Sequence, residues 1–378
     1  MIFIWVLFFI SFFILLYGYI GYPLLLVIWA ELCRAKAKDF RYKLKLAENL
    51  PKVSLILVCS DQRSFLPRFF EAMQHINYPK NSLEIIVVAD GIDDGSLEWL
   101  KAQKNPLIKM LEQNPSRGKA AALSRAVEKS SGEILIFSNV RHQMGAQSIN
   151  YLVERLQLPT IGVVIGLISN KSAFESWHEA TNKASLGERY ERHIKLWESQ
   201  IHSMSDMSSG LYAIRRRDYL PLAEDTIFHE MEMALPMLYQ SRRIVMEPRA
   251  QVFPQTPITS EQKIIARKKF FAGNLQSISK HSWLLSPRQN PIWIQFFSYP
   301  ILRLIMPYAM LVLFITSLAL PHPLTHGLFI VQFIFYGIAW VAYSLPTLRQ
   351  YRWLFNIYFF VALHKAAITG VSYWKKPF

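Results

Sequence analysis

A doubly wound α/β domain flanked by transmembrane helices is the fold class that the sequence predicts, and three observations carry it. Long uncharged apolar runs lie near both ends of the chain, short apolar runs alternate with helix-spaced segments between them, and polar residues follow those short runs directly. With 378 residues the chain exceeds what one core usually holds, so one α/β domain plus separate membrane segments is expected. Composition agrees: 52% hydrophobic and 14% aromatic is high for a soluble enzyme, yet a mean hydropathy of +0.16 is low for a protein made only of spans.

The first span is expected over Ile2 to Ala30, which carries no charge and exceeds the about 20 residues that cross the hydrocarbon. A cleaved signal peptide fits less well, because the basic start and small-residue cleavage site are missing. Phe296 to Leu320 is a second candidate, interrupted only by Arg303, and His326 to Leu345 is a third. The loop Pro321 to Thr325 has no Lys or Arg, whereas Arg349 and Arg352 follow Pro346, so the positive-inside rule places the short loop outside and Glu31 to Pro291 in the cytosol. Leu354 to Trp374 is interrupted by His364, Lys365 and Gly370, and reads as a third C-terminal span or as a re-entrant helix.

The net charge of +15 fits an anionic membrane surface, a phosphate-rich substrate or nucleic acid. Its distribution favours the membrane, since Arg34, Lys36, Lys38, Arg41, Lys43 and Lys45 directly follow the first apolar run and no nucleic-acid fold accompanies them. Cys33 and Cys59 are the only cysteines, which excludes a disulfide framework and a Cys-rich metal site.

Between the membrane regions, Val53 to Cys59 is a short apolar run without helical spacing, the pattern of a buried parallel strand. Phe69, Phe70, Met73 and Ile76 then mark an amphipathic helix over Arg68 to Ile76. Leu83 to Ala89 reads as the next strand, Lys119 to Ser130 as a helix and Ile134 to Ser138 as a third strand. Strands alternating with helices predict a doubly wound sheet, whose ligands bind at the carboxyl ends of the strands.

The residues after those strands form a series. PKVSLILVCSDQRSFLPRFFEAMQHINYP, LEIIVVADGIDDGS, NPSRGKAAALSRAVEKSSGEILIFSNVRHQ, SSGLYAIRR, DTIFHEMEMALPM, MEPRAQVF and ARKKFFAGNLQS follow one another over Pro51 to Ser277. In order and spacing they resemble the inverting family 2 glycosyltransferases, in particular membrane-bound bacterial exopolysaccharide synthases; together the segments are specific where one alone is weak. The resemblance implies a GT-A (nucleotide-diphospho-sugar transferase) mixed sheet. The expected division is an N-terminal transmembrane helix at 1–31, a basic juxtamembrane linker at 32–50, a cytosolic GT-A domain at 51–285, an interfacial segment at 286–295 and a C-terminal membrane region at 296–374. A bacterial inner (plasma) membrane location follows from the same resemblance.

Residue by residue, the resemblance gives Asp90, Gly91 and Asp94 to the nucleotide, although Asp90 and Gly91 also read as an ordinary turn. Ala89 replaces the first acid of the family's Asp-Asp-Gly segment. Gly118 and Lys119 fall where an ammonium and helix-terminal amides meet pyrophosphate; alone, Lys119 would read as a solvated lysine. The family's metal motif, Asp-x-Asp or Asp-Ala-Arg, is Asn139-Val140-Arg141-His142 here. Asn139 is a poor ligand for Mg2+ or Mn2+, so metal is expected to bind weakly or not at all, with Arg141 pairing with the diphosphate instead.

The acceptor-side acid pair becomes His229-Glu230. Glu230 is the first candidate base and His229 the second; the competing reading makes Glu230 a helix-starting carboxylate that complements the dipole. Gly210 and Tyr212 belong to a loop that resembles the pocket lining. Arg267, Lys268 and Phe270 take the place of the family's Gln-x-x-Arg-Trp segment, without its Gln and with Phe for Trp, and also read as an interfacial basic patch. The implied donor is a nucleotide-diphosphate sugar, of UDP type, and the implied acceptor a polysaccharide or lipid-linked glycan, with other synthase or export subunits as partners and no nucleic acid. Because Ala89, Asn139 and His229 replace acids, a catalytically silent scaffold that binds nucleotide or glycan is the rival reading.

Overall fold

The structure, a computed structural model, describes residues 1–33, 50–60, 62–103, 105–169, 186–256, 260–344 and 369. Most of the basic linker expected at 32–50 lies outside them, as do Arg349, Arg352 and, apart from residue 369, the membrane element expected within 354–374. The chain divides into two compact units, Ala30–Ile258 with Ser286–Ile292, and Met1–Trp29 with Thr259–Leu285 and Trp293–Phe378.

The first unit is built on a sheet. Its strands are β1 (Val53–Cys59), β2 (Leu83–Asp90), β3 (Ile108–Gln113), β4 (Ile134–Ser138), β5 (His142–Met144), β6 (Ile161–Ile168), β7 (Leu211–Arg215) and β8 (Arg243–Pro254). They form one mixed sheet of order β3-β2-β1-β4-β7-β6-β8-β5. Helices α1 (Leu66–Gln74), α2 (Ser96–Ala102), α3 (Lys119–Lys129), α4 (Ser148–Leu156), α5 (Leu186–Ile201) and α6 (His229–Tyr239) accompany it. β1, β2 and β4 are near-continuously apolar because both faces are covered, so no alternation with polar residues is left. Phe69 of α1 packs fully buried in the same core as Leu55, Leu57 and Ile85, and burying a side chain of that size stabilises the fold by about 1.5–3 kcal/mol. α1 begins at Leu66, earlier than the apolar spacing predicts, because Pro67 is suited to a first turn where its missing N–H goes unused.

Strand direction sets the site. β3, β2, β1 and β4 are mutually parallel, so Gln113, Asp90, Cys59 and Ser138 end along one edge. β7 runs antiparallel to β4 with Leu211 opposite Ser138, so the start of β7 meets the end of β4. Segments some seventy residues apart are thereby brought side by side.

The second unit holds three helices long and apolar enough to cross a membrane among the described residues: Ile2–Cys33, Trp293–Ala319 and Pro323–Val341. Their outward side chains are apolar too, as at Phe3, Ile28, Leu318 and Val331, which suits contact with lipid rather than water. Tyr17 and Ser298 hydroxyls meet at 2.8 Å, and a Cβ on Gly18 would stand 2.9 Å from Leu302 Cδ2 and Met306 Sδ, so glycine permits the close approach. This unit also contains the helix Ser260–Lys280, whose Phe271 packs with Leu304 and whose Phe270 ring lies 6.0 Å from the Arg303 guanidinium. The expected sheet domain of 51–285 therefore differs at its C-terminal limit, because the apolar face of this helix finds its partners among the apolar helices.

Candidate functional site

At the end of β2, Asp90 is buried and its Oδ1 accepts hydrogen bonds from Gln113 Nε2 at 2.8 Å and from the Arg117 main-chain N–H at 3.1 Å. The cross-strand pair Asp90 and Gln113 fixes the carboxylate before any ligand arrives. Gly91 follows with φ +60°, and a Cβ there would stand 2.6 Å from Ser116 Cβ, so both backbone conformation and space require glycine.

Asp94, expected at the nucleotide, is engaged within the rim by main-chain groups. Its Oδ2 accepts the Arg63 N–H at 2.7 Å and its Oδ1 the Ser96 N–H at 3.0 Å, so it ties the loop after β1 to the start of α2. Burial would raise its pKa, but the hydrogen bonds from Ser96 and Arg63 prevail and hold it below the ordinary range.

Gly118, with φ +85°, precedes α3, and Lys119 is the first residue of that helix. Behind it, the buried Ala120, Ala121 and Ala122 let α3 lie close against the sheet. After β4, the Arg141 N–H donates to Asn139 Oδ1 at 3.0 Å and the His142 N–H to the Asn139 carbonyl at 2.9 Å, closing a tight turn. The turn presents Arg141, whose guanidinium lies 5.2 Å over the Phe65 ring.

His142 then packs on Gly210: a Cβ on that glycine would stand 2.3 Å from His142 Nδ1. This contact joins the altered metal-motif position to the predicted pocket loop. Burial first, and then the charges of Lys119 and Arg141, depress the His142 pKa from 6.5 to about 4, against a smaller opposing pull from the Gly210 backbone. His142 is therefore a neutral imidazole in a positive field.

The loop that leads into Gly210 is held by α5. Lys195 Nζ donates to the Ser208 carbonyl at 2.7 Å and pairs with Asp206 Oδ2 at 3.1 Å, while Glu198 accepts from the Ser205 N–H at 2.8 Å. Tyr212, on β7, is buried and stacks on Phe137 with ring centroids 4.9 Å apart. Its hydroxyl pKa is raised well above the usual value by burial and then by the Glu230 charge, so Glu230 and Tyr212 are neighbours.

His229 and Glu230 open α6, where Phe228 supplies no side-chain cap. A carboxylate there is well placed against the helix dipole, so the structural reading of Glu230 and the catalytic one coexist. His229 Nε2 lies 3.1 Å from Glu230 Oε1. Burial would raise the Glu230 pKa, but His229 and then Lys119 prevail and bring it to about 2. Glu230 is thus ionised at neutral pH beside Tyr212 and within reach of the Lys119 charge.

Asp90, Gly91, Gly118, Lys119, Asn139, Arg141, Gly210, Tyr212, His229 and Glu230 all belong to the sheet unit, whereas Arg267, Lys268 and Phe270 lie on Ser260–Lys280 in the apolar unit. Among the described residues no three His, Cys, Asp or Glu side chains gather as a ligand set. Asn139 offers one neutral oxygen, already accepting an N–H, and an amide NH2 that repels cations, so these residues do not fit a firmly held Mg2+ or Mn2+. Gln113, Lys195 and Glu198 had no sequence signal pointing to the site; only the strand pairing and loop path reveal them.

This sheet and its carboxyl-edge rim define the class. Residues 54–219 match the sequence model of glycosyl transferase family 2. It is 30% identical over 125 residues to the probable glycosyltransferase YdaM of Bacillus subtilis (strain 168), covering 32% of this chain and 30% of that protein. It is 29% identical over 94 residues to the glycosyltransferase AglE of Haloferax volcanii, covering 24% and 31% respectively. The chain thus matches less than a third of the length of each of these curated relatives. In fold it is similar to the mannosyltransferase PcManGT of Pyrobaculum calidifontis, solved in complex with GDP-Man and Mn2+, with a TM-score of 0.70 at 17% identity over 98% of this chain and 99% of that one.

Proposed function

We propose that the chain transfers a sugar, with inversion, from a nucleotide-diphosphate sugar to a polysaccharide or lipid-linked acceptor at the cytosolic face of a bacterial inner membrane. The observation that carries the proposal is the Glu230 carboxylate in the first turn of α6, 3.1 Å from His229 Nε2, in the same unit as the Asp90 carboxylate held at the end of β2. Asp90, held by Gln113 and the Arg117 amide through one oxygen, keeps the other for the nucleoside. Lys119 and Arg141 take the diphosphate. Glu230 removes the proton of the acceptor hydroxyl as that oxygen bonds to the anomeric carbon, and the bond to the diphosphate oxygen breaks on the opposite side. Alone, a carboxylate with a pKa near 2 is a weak base. A bound diphosphate offsets the Lys119 charge, removing one cause of that depression when the base is needed.

The chemistry of the three apolar helices supports the membrane location, and the fold shared with a nucleotide-sugar complex supports the donor class. The test is nucleotide release by the purified full-length chain in detergent, given a panel of UDP- and GDP-sugars and glycan or lipid-phosphate acceptors. Release by the wild type that is lost in Glu230→Gln and weakened in Asp90→Asn is the expected result. A donor that binds but is never turned over would favour the scaffold reading, which the replacements at Ala89, Asn139 and His229 motivate.

A further inference from the structure

This inference rests on the transferase reading and concerns how the leaving group is neutralised. A departing nucleoside diphosphate gains negative charge, and the family's usual answer is a divalent cation held by an Asp-x-Asp carboxylate. Here the corresponding residue is Asn139. Its single, neutral oxygen already accepts the Arg141 N–H at 3.0 Å through one of its two lone pairs, its other terminal atom is a hydrogen-bond donor, and no cluster of three acidic, His or Cys side chains gathers among the described residues.

The same turn that engages the neutral Asn139 oxygen positions a cation. The Asn139 side-chain contact and the 2.9 Å bond from the His142 N–H fix the backbone at Arg141, and the Phe65 ring lies under the guanidinium. Lys119 opens α3 at the parallel-strand edge on which this turn sits. His142, packed on Gly210, feels both charges. Two permanent cations therefore stand by the position after β4, equal in total charge to one divalent ion. Guanidinium also offers the paired N–H donors that suit phosphate oxygens.

We propose that this chain binds nucleoside diphosphates without a divalent metal, with Arg141 and Lys119 supplying the positive charge that a metal supplies elsewhere in the family.

The experiment is calorimetric titration of the full-length chain in detergent with UDP and with GDP, in EDTA and in Mn2+. For whichever nucleotide binds, the dissociation constants in the two buffers are expected to agree within about twofold, and Arg141→Ala to weaken binding by about tenfold or more in both. Arg141→Lys, which keeps the charge, is expected to recover part of that loss, and a retained thermal unfolding transition shows that each variant folds. Binding that vanishes in EDTA and returns with Mn2+ overturns the proposal, as does an Arg141→Ala variant that binds like the wild type. Failure of both nucleotides to bind in either buffer overturns it too. The two readings fail separately: metal-free binding without turnover of any donor sugar sinks the transferase reading alone, whereas turnover that requires Mn2+ sinks this one alone.

Discussion

Around Glu247 opposite charges close on one another, whereas around His142 like charges converge. Glu247, only 1% exposed, takes Arg155 through Nε at 3.0 Å and Nη2 at 2.9 Å, and Arg249 through Nε at 2.8 Å. Arg249 reaches on to Glu154 at 3.2 Å and lies 4.5 Å over the Tyr151 ring. Burial would raise the Glu247 pKa, but Arg249 and then Arg155 hold it below its usual value. Such a cluster satisfies its own charges and stiffens the packing of α4 on β8. At the other cluster, Lys119 and Arg141 both act on a neutral imidazole that cannot answer them. The same residue types close a self-satisfied cluster in one place and gather two cations about a neutral imidazole in the other.

The comparison is broken most sharply by two carboxylates. Glu230→Gln is expected to lower the rate of nucleotide release with acceptor by about 10²–10⁴-fold, the usual contribution of a general base, with a cooperative unfolding transition retained but lowered by loss of the charge that faces His229 and Lys119. Glu247→Ala should act in the opposite sense. It removes the carboxylate that the buried Arg155 meets at 2.9 Å and is expected to destabilise the chain by about 3–5 kcal/mol, read as a lowered unfolding midpoint.

Two smaller effects sharpen it. The folded His142 has a pKa of about 4, below the 6.5 of the free group, so the unfolded chain takes up the proton first as the pH falls. Stability should therefore drop between pH 6.5 and pH 4, by up to about 3 kcal/mol from this residue. His142→Gln should flatten that part of a plot of unfolding midpoint against pH; an unchanged slope would show that His142 is not held neutral. Gly210→Ala must displace His142 and with it the Arg141 turn. Since a shift near 1 Å at a site can cost about 10²-fold in rate, a loss up to that size with little change in folding is expected.

Much of the fold is legible locally. β1, β2 and β4 stand out as unbroken apolar runs because burial on both faces removes polar residues from the strand itself. β3 does not, since Ile108–Gln113 is a sheet-edge strand whose Lys109 and Glu112 are exposed, and β5 is only three residues long. Gly91 and Gly118 carry meaning in the sequence that the backbone explains, both having positive φ. Asp94 adds what no motif states, that its carboxylate accepts two main-chain N–H groups of the rim.

By itself, then, the sequence determined which segments are apolar enough to cross a membrane, which form the central strands, and which residue types line the ends of those strands. Hydropathy and turn chemistry act over a few residues, so they can be read a few residues at a time. Tertiary structure alone decided that Gln113 grips Asp90, that His142 rests on Gly210, that α5 secures the loop into β7 and that Ser260–Lys280 joins the apolar helices. Those contacts depend on strand order and direction, above all on an antiparallel β7 starting where β4 ends, and no local pattern encodes which distant neighbour a strand will take.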